Sequence, residues 1–153
     1  MTQPRDYFQD LMDAHERLQE KYDQFVEDFG DVIELDNSLL KDALKSQITL
    51  SLKVNELHSR AVYVEMAVSE EVDFCYAYAY SELSENSNKK MSATELKNFA
   101  SIDDDYIETR KLLTEVRQLK NQIEGIRDTI ISRKYVLNNI TNSVVADSAN
   151  YII

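Results

Sequence analysis

Apolar positions along this chain recur with the period of a helix. Leu11, His15, Leu18, Tyr22, Phe25 and Phe29 follow one another at steps of 4, 3, 4, 3 and 4, the seam of an amphipathic helix. Gly30 follows directly, and glycine is favoured just past a helix end, so the first helix is expected to stop there. A second seam opens after Asp36, Asn37 or Ser38, any of which can act as N-cap. It runs through Leu40, Ala43, Gln47, Leu50, Val54, Leu57, Ala61, Val64 and Val68 to Val72 and Cys75. No Gly or Pro interrupts it, which predicts one helix of about 45 residues, on the order of 70 Å long. Ala43 and Ala61 are small enough to let a neighbouring helix approach closely.

Residues 84–92 are rich in Ser and Asn and read as a turn. "SATE" at Ser92 to Glu95 is a capping box, and the short helix it starts, through Leu96 and Phe99, should end near Ser101. Ser101 is then the expected cap of the last helix, with Asp103, Asp104 and Asp105 on its positive dipole end. That helix has the most regular seam of all: Leu112, Val116, Leu119, Ile123, Ile126, Ile130, Arg133, Leu137, Ile140 and Val144. Arg133 is its one polar member.

The expected architecture is all-α. An acidic amphipathic helix over 1–35 precedes a long antiparallel helical hairpin over 36–145, coiled-coil-like and turning at 84–92; a polar tail, 146–153, ends in apolar residues. Two facing helices cover only one side of each other, so the remaining apolar stripes need a third helix or other chains. A homo-oligomer is therefore expected. Its interface residues would be Leu112, Val116, Leu119, Ile123, Ile126, Ile130 and Leu137 on the last helix, with Leu18, Tyr22 and Phe25 on the first.

"FCYAYAYSEL", residues 74–83, sets Tyr76, Tyr78 and Tyr80 at alternate positions. A strand there would have no partner, and Ala is a poor strand former. On a helix Tyr76 and Tyr80 share a face while Tyr78 points away. The tyrosines thus ring the tip of the hairpin, where they either pack against neighbouring chains or stack on bases.

The formal net charge is −11, but its distribution matters more. Residues 1–85 carry 19 acids against 7 bases, and residues 86–153 carry 9 against 10. Any anion-binding surface therefore belongs to the C-terminal half. Its candidates are Lys89 and Lys90 at the tip, beside Tyr76 and Tyr80, and Lys97, Arg110, Lys111, Arg133 and Lys134 beyond it. Repeated around a ring of subunits, such a patch becomes a cationic track with aromatic rings, suited to sequence-neutral binding of single strands.

Catalytic chemistry finds little support. His15 and His58 are far apart, and no HExxH, GxxxxGK, GxSxG or CxxC occurs. Cys75 is the only cysteine, which rules out an internal disulfide and disfavours a thiolate metal cluster. No enzyme activity, metal or cofactor is expected. No apolar run approaches the roughly 20 residues that span a bilayer, and "MTQPRDYFQD" lacks a signal-peptide pattern, so a cytoplasmic protein with no membrane partner is expected.

Residues 93–140, "ATELKNFASIDDDYIETRKLLTEVRQLKNQIEGIRDTIISRKYVLNNI", resemble the C-terminal half of UvsY-type recombination mediators of T-even-like phages. The matching positions are Leu96, Lys97, Asp103, Asp105, Tyr106, Ile123, Ile130, Arg133, Tyr135 and Ile140, and the Tyr76–Tyr80 aromatics before the turn fit the same layout. The resemblance covers roughly residues 38–141. The acidic residues 1–35 lie outside it, and Asn138 stands where the family carries a base.

The resemblance implies a non-enzymatic homo-oligomer that binds single-stranded DNA. Such a protein helps a RecA-type recombinase displace single-strand-binding protein, in the cytoplasm of a bacterial host if the chain is phage-encoded. Two alternatives come from other classes. One is a structural or adaptor coiled-coil oligomer. The other is an acidic DNA mimic that occupies a host protein's basic groove.

Overall fold

The computed structural model describes residues 5–35, 39–144 and 153. The described residues form four helices: α1 (Arg5–Ile33), α2 (Leu40–Asn86), α3 (Ala93–Ala100) and α4 (Asp104–Ser143). The all-α class follows from them. The expected caps Asp36, Asn37 and Ser38, and the tail up to residue 152, lie outside the described residues.

Two helix ends differ from expectation. Gly30 does not terminate α1, which continues to Ile33. A Cβ at Gly30 would meet only Val26 Cγ1, at 4.0 Å, so the helix passes through this position without needing a glycine. Nor does Ser101 cap α4. Its backbone is still right-handed helical (φ −70°, ψ −15°), and its hydroxyl donates to Asn98 O at 2.7 Å. An N-cap needs an extended backbone and a free acceptor; Asp103 takes the role, its Oδ1 accepting from Tyr106 N at 3.0 Å. The Ser92–Glu95 capping box forms in full. Ser92 Oγ accepts from Glu95 N at 3.2 Å, and Glu95 Oε2 accepts from Ser92 N at 2.8 Å. Those bonds from the Ser92 backbone and hydroxyl hold the Glu95 carboxyl below its ordinary pKa.

The chain divides into two compact units, residues 1–17 with 62–119, and residues 18–61 with 120–153. In the first, Val64, Val68, Val72, Cys75 and Ala79 of α2 are buried, as are Leu112, Leu113 and Val116 of α4, Leu96 and Ala100 of α3, and Leu11 of α1. Glu65 pairs with Arg117 and Cys75 meets Thr109, so these stretches of α2 and α4 run antiparallel. In the second unit, Leu40, Ala43 and Leu137 form a buried cluster with Leu35, Ile140 and Ile153 packed against it. Leu50, Val54, Ile123 and Ile130 are sealed from solvent. The Phe25 and Phe29 rings lie 5.3 Å apart, and Lys53 Nζ is 5.8 Å from the Phe29 centroid.

This packing corrects the proposed interface. Leu112, Val116, Leu119, Ile123, Ile130, Leu137, Leu18 and Phe25 are all buried within one chain, while Ile126 and Tyr22 are half-buried. A helical pair has too little bulk of its own, but here α1 supplies the third helix. Along these seams the chain's own helices supply the cover.

Candidate nucleic-acid interface

Within the first unit the end of α2 and the start of α4 bring two tyrosines together. Tyr76 and Tyr106 stack tilted, their centroids 5.3 Å apart at 58°. The Arg110 guanidinium lies 5.5 Å from the Tyr106 centroid, one turn further along α4. The group is ordered from below by the Asp103 cap, which fixes the first turn of α4. Tyr76 and Tyr106 are half-buried, and Arg110 is exposed. A planar cation over one tyrosine ring, with a second ring packed on that tyrosine, can stack a base and meet its phosphate.

Tyr80 is half-buried on the same helical face as Tyr76. Tyr78 points elsewhere, its ring 6.2 Å from Phe74, and the neighbouring Glu82 carboxylate raises its hydroxyl pKa. Lys89, Lys90, Lys97 and Lys111 are exposed in this same unit. Among the described residues none of the four is paired with a carboxylate. Arg117 is instead bound to Glu65 at 2.9 Å. In the second unit Lys134 is exposed, Lys120 lies 3.8 Å from Glu124, and Arg127 donates to Asn55 Oδ1 at 3.0 Å.

Arg133 is not part of any cationic surface. It is 5% exposed, and its guanidinium donates to Ala43 O (3.2 Å), Gln47 Oε1 (2.7 Å) and Ser46 Oγ (2.8 Å). Its seam position decided this: a residue spaced with Ile130 and Leu137 must point at α2. Sequence reasoning placed it among the DNA-binding residues because it weighed charge before period.

Tyr106 was the residue overlooked as a stacking partner, although a signal for it existed. One position beyond the α4 seam, Tyr106, Arg110, Leu113 and Arg117 recur at steps of 4, 3 and 4. That second stripe carries Tyr106 together with both arginines of this end of the helix.

Other chemistry is sparse. His58 Nε2 lies 3.1 Å from Glu124 Oε1 on the surface of the second unit. Among the described residues no group of three or more His, Cys, Asp or Glu could hold a metal ion. No helix of the described residues is long and apolar enough to cross a membrane.

The chain matches no family model, no curated protein and no solved structure.

Proposed function

We propose that the protein binds single-stranded DNA without catalysing a reaction, acting as a homo-oligomeric mediator that helps a RecA-type recombinase displace single-strand-binding protein. The Tyr76–Tyr106–Arg110 stack carries this reading, because it offers ring faces and a planar cation at one surface point. The exposed Lys89, Lys90, Lys97 and Lys111 of the same unit are available for phosphate contacts. The chain's overall charge of −11 keeps non-specific affinity for duplex low, so binding depends on this local patch and on its repetition in an oligomer.

The test is fluorescence anisotropy of labelled oligo-dT with the full chain at two salt concentrations. Wild type should bind in a strongly salt-dependent manner. Tyr106→Ala should cost about 1–3 kcal/mol, the worth of one stacked base, and Arg110→Ala should flatten the salt slope by about 0.7. Lys89→Glu with Lys90→Glu should weaken binding further, while buried Arg133→Met should not change it. Absence of binding at low salt refutes the proposal.

A second reading, an adaptor that joins other helical proteins, is favoured by one observation. Leu44, Ile48 and Leu52 form an exposed apolar row on α2, with Ile48 and Leu52 66% and 68% exposed. Strand binding that survives Tyr106→Ala and the lysine changes, with loss of a protein partner on Ile48→Lys, would support it instead.

A further inference from the structure

The first unit contains an open cavity of about 360 Å³ whose lining combines Tyr7 of α1 with Tyr63, Met66, Glu70, Glu71 and Phe74 of α2. Two acids of the N-terminal half, Glu70 and Glu71, lie in this lining beside aromatic rings. Three rings and a thioether make walls whose faces are electron-rich. Two neighbouring carboxylates make the remaining wall negative.

Glu71 is the decisive member. It is 9% exposed, yet among the described residues its side chain has one weak polar contact: the Cys75 thiol donates to its Oε1 at 3.9 Å. No lysine or arginine among the described residues pairs with it. Burial accordingly raises its pKa above the ordinary carboxylate value, with the Cys75 hydrogen bond opposing in part. A desolvated carboxylate without a cation either takes up a proton or is stabilised by a cation brought from outside.

The rest of the lining fits such a supply. Tyr63 is 72% exposed, Met66 58% and Tyr7 45%, so the rim is open to a ligand from solvent. Large exposed rings and a flexible methionine around a buried acid suit a long, apolar-stemmed cation whose head reaches the carboxylate while its stem lies on the rings. A neutral or anionic ligand would leave Glu71 unpaired.

We infer that this cavity is a docking site for a lysine or arginine side chain presented by a partner protein, with Glu71 and Glu70 pairing the cationic head and Tyr7, Tyr63 and Phe74 enclosing its stem. The site shares no named residue with the Tyr76–Tyr106–Arg110 surface, so it stands or falls separately from strand binding. A mediator with both would hold nucleic acid and a basic protein segment at once.

The test uses the full chain carrying ¹³C-methyl methionine, titrated with the blocked peptides Gly-Arg-Gly and Gly-Lys-Gly, and Gly-Gln-Gly as the neutral control. The Met66 methyl should shift saturably with both cationic peptides, while the Met91 methyl stays in place and the neutral peptide has no effect. Glu71→Gln, which keeps the shape, should weaken binding about tenfold, the worth of a charge-assisted contact. Tyr63→Ala, at a solvent-exposed position, should weaken it about threefold. Asp28→Asn, an acid in the other unit, should leave it unchanged.

The inference is overturned if Met66 does not respond, if the neutral peptide shifts it equally, or if Glu71→Gln and Tyr63→Ala bind like wild type. It is also overturned if free spermidine shifts Met66 and the peptides do not, which would assign the cavity to a small polyamine.

Discussion

Arg133 allows a sharp test of how the second unit is held together. Its guanidinium is buried, no carboxylate among the described residues pairs with it, and Nε has no hydrogen-bond partner. Burial lowers its pKa, the direction expected for an uncompensated cation. Three hydrogen bonds from a charged donor are worth about 6 kcal/mol together, at roughly 2 kcal/mol each. Against them stands a desolvation penalty of several kcal/mol, plus about 1–3 kcal/mol for the orphaned Nε–H. The two sides nearly cancel, so Arg133 adds little net stability.

Arg133→Met replaces the guanidinium with an apolar chain of comparable reach. Ser46 Oγ and Ala43 O remain bonded to each other at 3.0 Å, and Gln47 Nε2 still reaches Ile130 O at 3.0 Å. Only Gln47 Oε1 is left without a partner, a loss of about 1–3 kcal/mol. The single variant should therefore lie within about 2 kcal/mol of wild type. Removing both polar partners, Arg133→Met with Gln47→Leu, should stabilise by about 1–3 kcal/mol. Urea unfolding followed by circular dichroism at 222 nm measures both. A double variant less stable than wild type by more than about 3 kcal/mol would show that the hydrogen bonds outweigh the desolvation and refute the reasoning.

Three further outcomes follow from named contacts. Burial pushes the Cys75 thiol up to about 11 from 9.0, so the folded chain keeps a proton that the unfolded chain loses. Stability should be undiminished below pH 9 and fall by about 2–3 kcal/mol on titration from pH 9 to 11, a fall that Cys75→Ala abolishes in pH-dependent urea melts. The raised Glu71 pKa has the same sign at lower pH. The folded state holds its proton above 4.5, so stability should decline as pH rises from 4.5 through the elevated value, and Glu71→Gln should flatten that segment of the curve. Ser92→Ala removes one half of the capping box and should cost about 1 kcal/mol, with faster amide exchange at Glu95; unchanged exchange would mean that Glu95 alone holds the helix start.

How much of this was legible in the sequence differs from residue to residue. The seam through Leu40, Leu50, Val54, Val68 and Cys75 reads directly from its period, because burial on a helix repeats with the turn. The same holds for the capping box, whose two partners sit three residues apart. Gly30 misled because glycine permits a helix end without requiring one. Ser101 misled because its position fitted a cap while its backbone stayed helical. The candidate site was half visible: Tyr76 and Arg110 were named, but their meeting at Tyr106 depends on the register of α4 against α2.

By itself, then, the sequence determined the class of fold, the helical faces and the acid–base asymmetry, all of which follow from side-chain identity and spacing along one chain. Only the tertiary structure decided which apolar stripe faces inward and which charge is sealed, because those depend on which helix covers which. Leu112 to Leu137 became core once a third helix was available, and Arg133 became a buried donor for the same reason. Glu71 looks like any surface acid in the sequence, and only folding buries it in the lining of a cavity shared with Tyr7, Tyr63 and Phe74, with no lysine or arginine paired to it among the described residues.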